Sequence, residues 1–142
     1  GVAVKFHGFY EVKKDDVVVG AGLTMEPVGS PISKLKNLAK VFPDALRVLS
    51  KIHATGLCHG DPRTHNILMH KRSVIFCDFQ QYAGFVKEAG SKARVMQDMD
   101  IIFESFGIKI TEKLSSFIEK YAELPNDEAI ENIIRELSCP PT

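Results

Sequence analysis

The sequence predicts an α+β fold, a mostly helical lobe built around one β-hairpin, with a shorter hairpin and a linker before it. Three observations predict it. Ile67-Leu68-Met69 and Val74-Ile75-Phe76 are short apolar runs joined by the basic stretch His70-Lys71-Arg72-Ser73, the pattern of two strands and a turn. From Pro43 onward, apolar residues recur mainly at helical spacing, closed by caps and stops. Between Glu26 and Pro31, two prolines and a glycine interrupt any regular element.

The first twenty-five residues read as one hairpin, Val2 to Tyr10 and Val17 to Met25, with Lys13-Lys14-Asp15-Asp16 as a solvated turn. Gly20 and Gly22 have G-x-G spacing, but no helix follows, so they read as strand bends rather than a phosphate loop. Ser33 caps a short helix to about Val41. Pro43 and Asp44 open the next, with Leu46, Leu49, Ile52 and His53 inward and Gly56 as the stop. His53 is read as a core residue rather than a metal ligand. Residues 80–93 read as irregular, and a helix with an acidic first turn is expected from Gln97. Thr111 caps a helix with Leu114, Phe117, Ile118 and Tyr121 on one face. Asn126 caps another with Ile130, Ile133, Ile134 and Leu137. The tail from Cys139 is expected to be poorly ordered.

The central hairpin brings chemistry together. If Met69 faces Val74, then Asn66 faces Cys77, one step from Asp78, at the open end of the hairpin. Asp61 lies on the loop leading in. An amide carbonyl and a carboxylate at one strand end are hard oxygen donors suited to magnesium. A further carboxylate beside them can accept a proton from an attacking hydroxyl.

His59-Gly60-Asp61 with Asn66, followed by Asp78-Phe79, resembles the catalytic loop and metal-binding motif of the protein-kinase-like fold. Gly60 replaces the arginine of ordinary protein kinases, and Gln80 the glycine of Asp-Phe-Gly. The His-Gly-Asp form is similar to aminoglycoside and choline kinases, lipopolysaccharide-kinase-like proteins and divergent fungal-type kinases. The resemblance spans about residues 6 to 137 and is specific at 56–81. It implies one domain: residues 1–25 as a remnant of the N-terminal lobe, 26–31 as the hinge and 32–142 as the C-terminal lobe.

It further implies an ATP- and magnesium-dependent phosphotransferase, an atypical protein kinase. Asp61, Asn66 and Asp78 would be catalytic, with Asn66 and Asp78 on the metal. Met25, Glu26, Val28 and Leu68 would surround the nucleotide. Asp98, with Asp100 as runner-up, would hydrogen-bond the catalytic-loop backbone; both residues equally suit a helix dipole. His59 would brace the loop, with Arg63 and His65 near a phosphate. The Ala-Pro-Glu ending of an activation segment is missing, which leaves the acceptor open between protein and small molecule.

The resemblance also implies an incomplete upper lobe. Val2-Ala3-Val4-Lys5 looks like the kinase lysine strand. Only about twenty residues then remain before the Met25-Glu26-Pro27 hinge, while a helix of about 11–12 residues and two strands of about 5–6 must fit between. The lysine strand and its partner helix are therefore expected upstream of Gly1 or from a partner, and residues 1–142 alone are expected to lack turnover. A degenerate module that binds nucleotide or a partner without turnover stays open beside the enzyme reading.

Composition narrows the classes. There are 18 basic and 18 acidic side chains, for a net charge of zero, so no field points to nucleic acid or an anionic membrane. No apolar run approaches the length of a membrane span. Three cysteines without scaffold spacing suit reduced thiols and an intracellular protein. Cys58 and Cys77 read as small core residues. An iron site of two histidines and a carboxylate begins well at His59-Gly60-Asp61, but no histidine follows His70.

Overall fold

The computed structural model describes residues 5–14, 17–26, 30–32, 37–79 and 91–139. Two antiparallel strands, β1 (Lys5–Lys14) and β2 (Val17–Glu26), form a two-stranded sheet. Lys5 pairs with Glu26 and Lys14 with Val17, with register shifts near Phe6 and Val12. Lys13 and Lys14 thus belong to the strand rather than to the turn. Among the residues assigned to nucleotide, Met25 and Glu26 close β2, while Val28 lies outside the described residues.

A second sheet has the order β3 (Ser30–Pro31), β4 (Ile67–His70), β5 (Ser73–Phe76). Pro31 pairs with Leu68, so the end of the expected linker is a two-residue strand. Proline is tolerated there because β3 is an edge strand, where the missing N–H is not needed. In the central hairpin Met69 faces Val74 and Ile67 faces Phe76, as the sequence predicts. The turn is shorter than expected, since His70 still faces Ser73. Lys71 and Arg72 alone make the bend, with φ of 47° and 69°, the sign that a two-residue type I′ hairpin loop requires at both positions.

Four helices follow the same chain order. Helix α1 (Phe42–Ala54) carries Pro43 in its first turn, where the absent N–H is harmless. It stops at Gly56, whose φ of 96° suits glycine. The stretch before α1 gives only a 3₁₀ turn, Leu38–Lys40, and Ser33 lies outside the described residues. Helix α2 (Ser91–Ser105) starts six residues earlier than the acidic cluster suggests. Asp98 is therefore deep inside the helix, beyond reach of its first turn. Helices α3 (Glu112–Glu123) and α4 (Asp127–Ser138) are capped as predicted: Thr111 accepts from Leu114 N–H, and Asn126 from Ala129 N–H.

Helix α1 packs on α4 and β5, α2 on α3, and α3 on α4. The core they enclose includes Phe42, Leu46, Leu49, Ile67, Phe76, Ile102, Phe103, Ile118 and Ile133. Phe42 and Phe103 meet edge to face, with centroids 5.0 Å apart, a favoured aromatic geometry. This core lies directly beneath the loop between α1 and β4. Among the described residues, no helix is long and apolar enough to cross a membrane.

Candidate active site

The loop from Cys58 to Asn66 owes its shape to one buried carboxylate. Asp98, on α2, accepts the backbone N–H of His59 at 2.8 Å and of Gly60 at 2.9 Å. The Asp98 carboxylate also accepts from His53 Nε2 at 2.8 Å, and the other ring nitrogen of His53 lies 2.6 Å from the Tyr121 hydroxyl. Since a carboxylate can only accept, His53 carries its proton on Nε2; in the neutral ring Nδ1 then accepts from Tyr121. All three side chains are essentially inaccessible, and burial raises the pKa of Tyr121. The chain of contacts thus joins α1, the loop, α2 and α3. Asp98, not Asp100, holds the loop, and its location mid-helix excludes the helix-dipole reading. Helical periodicity marks Tyr121 only as a member of the apolar face of α3, because nothing local marks the contact of its hydroxyl.

Ligand atoms of His53, Cys58 and Asp98 lie within 4.8 Å of one another, a spacing that would suit a metal. The chemistry argues otherwise. His53 and Asp98 are committed to each other, and Asp98 also to two backbone N–H groups; burial pushes the Cys58 thiol up to about 11. The Cys77 thiol is likewise raised by burial. Both cysteines are structural, as expected.

His59 braces the loop from inside. Its Nδ1 accepts the Asp61 N–H at 3.0 Å, and its Nε2 donates to the Cys77 carbonyl at 2.7 Å. Burial lowers its pKa, which favours the neutral ring, and the two hydrogen bonds fix its tautomer. The ring also contacts Phe76 and Phe79. One imidazole therefore ties the residue bearing the Asp61 carboxylate to the residue preceding Asp78.

Asp61 and Asn66 touch. The Asn66 amide nitrogen donates to the Asp61 backbone carbonyl at 2.9 Å and to its carboxylate at 3.1 Å. With the nitrogen committed to Asp61, the amide carbonyl of Asn66 is the atom left to face a cation. The Cys77 N–H donates to the Asn66 carbonyl at 2.9 Å, which extends the hairpin register and sets Asn66 across from the neighbour of Asp78. Asp78 is exposed and has φ of 56°, an uncommon backbone for a non-glycine residue. Such strain tends to collect at functional sites. An amide oxygen and an exposed carboxylate fit magnesium chemistry.

Arg63 grips Asp61. Its Nε lies 2.5 Å from one carboxylate oxygen and its Nη2 2.9 Å from the other, the bidentate fork typical of arginine. This contact holds the Asp61 carboxyl below the usual carboxylate range. His65 is exposed on the same 3₁₀ turn, Thr64–Asn66. On its far side the loop is pinned again: Ser105 Oγ accepts the Thr64 N–H at 2.7 Å and donates to the Thr64 hydroxyl at 3.3 Å. Leu68, assigned to the nucleotide, is a half-buried residue of β4 between β3 and β5.

A loop bearing Asp and Asn, a following hairpin ending in Asp, and a buried helix aspartate beneath them define a protein-kinase-like domain. Within that class the match is specific: the family model of the RIO domain, an atypical protein-kinase-like domain, matches residues 15–118, and the chain belongs to this family. The matched span runs from just after β1 into α3 and contains every residue of the loop and hairpin. A comparison with curated proteins gives no match.

Proposed function

We propose that the chain carries the catalytic loop and metal site of an atypical protein kinase, which binds ATP with magnesium and transfers the terminal phosphoryl group to a hydroxyl. The observation that carries this reading is the junction of Asp61, Asn66 and the hairpin register. Asp61 touches Asn66, and Asn66 in turn faces Cys77, the neighbour of Asp78. Magnesium at Asn66 and Asp78 would neutralise charge on the phosphates. Asp61 would orient the acceptor and take its proton as the acceptor oxygen bonds to phosphorus and ADP leaves. Met25, Glu26, Val28 and Leu68 would line the nucleotide. Kinship to an ATP-binding, kinase-like family supports the reading. The three free cysteines fit a reducing, intracellular setting.

Calorimetry with ATP, with and without magnesium, tests the metal assignment. Binding should require magnesium and weaken in Asp78→Asn. Metal-independent binding that is unchanged in the variant would remove Asp78 from the site.

One observation favours a second reading, nucleotide binding without turnover. Both oxygens of Asp61 are held by Arg63, which makes it a poor base as it stands. Radiolabelled phosphate transfer by the wild type and by Asp61→Asn decides between them. General-base catalysis predicts a loss of roughly 10²–10⁴-fold in rate with nucleotide affinity retained.

A further inference from the structure

A cavity of about 500 Å³ opens between the Asp61 loop and α2, lined by Asp61, Arg63, Ile101, Glu104 and Ser105. Its size is that of a small-ligand pocket, and it borders the residue proposed to take a proton. Among the described residues, two further cavities surround Arg47, on the face formed by α1, the hairpin turn and α4. There Arg47 is already paired with Asp44 and Glu131.

The side chains lining the cavity differ in how far they are committed. Arg63 is engaged with Asp61 through two contacts. Ser105 is engaged with Thr64 as both donor and acceptor. Ile101 is half-buried and offers apolar surface. Glu104 is exposed, and its carboxylate reaches no hydrogen-bond or ion-pair partner among the described residues. The uncommitted charge of the cavity is thus one carboxylate, one helical turn from Ile101. Because Ser105 ties α2 to the loop, that carboxylate is held in a fixed relation to Asp61.

We infer that this cavity receives the acceptor, and that it selects a hydroxyl compound bearing a positive charge. The hydroxyl faces Asp61, the carbon framework rests on Ile101, and an ammonium or guanidinium group pairs with Glu104. A serine or threonine flanked by a basic residue and a small amino alcohol share this chemistry. The inference rests on the phosphotransfer reading for its meaning, but not for its test.

The test is binding to the full chain, followed by backbone-amide NMR. The probes are an Arg-Ala-Ser-Ala peptide, its Glu-Ala-Ser-Ala counterpart, ethanolamine and ethylene glycol. The basic peptide or ethanolamine should give saturable shifts at Ile101, Glu104 and Ser105, and the acidic and neutral probes should not. The cationic probe that binds identifies the source. An exposed ion pair is worth a factor of roughly 1.4–5 in affinity, so Glu104→Gln should weaken that probe by about this factor. Glu104→Lys should abolish its preference over the acidic peptide. Magnesium–ATP affinity should be unchanged in both variants. Shifts by acidic and neutral probes equal to those by cationic ones, shifts insensitive to Glu104, or no shifts at these residues would overturn the inference. Loss of metal-dependent ATP binding in the wild type, with the cavity shifts intact, would instead overturn the phosphotransfer reading alone.

Discussion

Removing the Asp98 carboxylate should loosen the whole site from beneath. In Asp98→Ala three donors lose their acceptor at once: His53 Nε2 and the backbone N–H groups of His59 and Gly60. A buried donor left unsatisfied costs about 1–3 kcal/mol. The three share one partner, so their costs do not simply add. A loss of about 3–5 kcal/mol, above the cost of one unsatisfied donor and below the full sum of three, is expected. For a domain of this size it corresponds to a fall in Tm of roughly 10–15 °C, out of a total stability that is typically about 5–15 kcal/mol. Urea and thermal melts give the loss, with Asp100→Ala, an exposed neighbour, as the control that should stay within about 0.5 kcal/mol. Amide hydrogen exchange at His59 and Gly60 locates the damage. Asp98→Asn keeps the shape but faces one backbone N–H with an NH₂ group, and should cost about half as much. If Asp98→Ala lost under about 1 kcal/mol, or if the His59 and Gly60 amides kept their protection, the argument that this carboxylate holds the loop would fail.

Three further predictions concern the loop and hairpin. Arg63→Ala should let the Asp61 pKa rise toward its ordinary value, since Arg63 is the main cause of its depression. Carbon-detected NMR titration of Asp61 reads this directly, and an unmoved titration would refute the pairing. Because the folded pKa of Asp61 is the lower one, its contribution to stability is present above the unfolded pKa and fades as pH falls through the folded value. His59 follows the same sign for a different reason: burial lowers its pKa from 6.5. Its share of stability should be complete above about pH 6.5 and decline below it. His59→Gln should remove that part of the acid sensitivity, and an unchanged pH profile would mean the ring is not held neutral. Replacing Lys71-Arg72 by Asn-Gly should stabilise the hairpin by about 1 kcal/mol, because both positions have positive φ. A urea melt checks this, and destabilisation would show that these basic side chains support the turn.

Much of the site could be read in the chain because its geometry is local. Once Met69 faces Val74, strand periodicity carries the pairing down to Asn66 and Cys77, and nothing tertiary can shift it without exposing Val74 and Phe76. The helix starts at Thr111 and Asn126 were equally legible, since each cap is made by a side chain three residues from its target. What escaped was set by distant partners. The start of α2 was placed near Gln97 because acidic residues suit a first turn. Asp98 is acidic for another reason, a contact with backbone nearly forty residues earlier. Lys71-Arg72 carries no turn signature, so the two-residue bend is not marked in the sequence, and the proline at Ser30–Pro31 masks the edge strand. The grip of Arg63 on Asp61 could not be read, since a neighbouring basic residue can equally well point to solvent.

Helix α2 acts on the loop as a splint with two pegs. Asp98 fastens His59 and Gly60, and Ser105 fastens Thr64. The pegs stand seven residues apart, which on an α-helix is about 10.5 Å. Between them hang Asp61, Pro62 and Arg63, a short span slung from a rigid rod. Fixing a backbone residue costs roughly 1–2 kcal/mol of entropy, and here that ordering is complete before any ligand arrives. A ligand at Asp61 therefore meets a backbone already in place and needs to move side chains only, Arg63 first among them. The same rod carries Ile101 and Glu104 along the far wall. Any tilt of α2 would shift the base and the wall together, so their spacing should survive motions that change how far the cleft stands open.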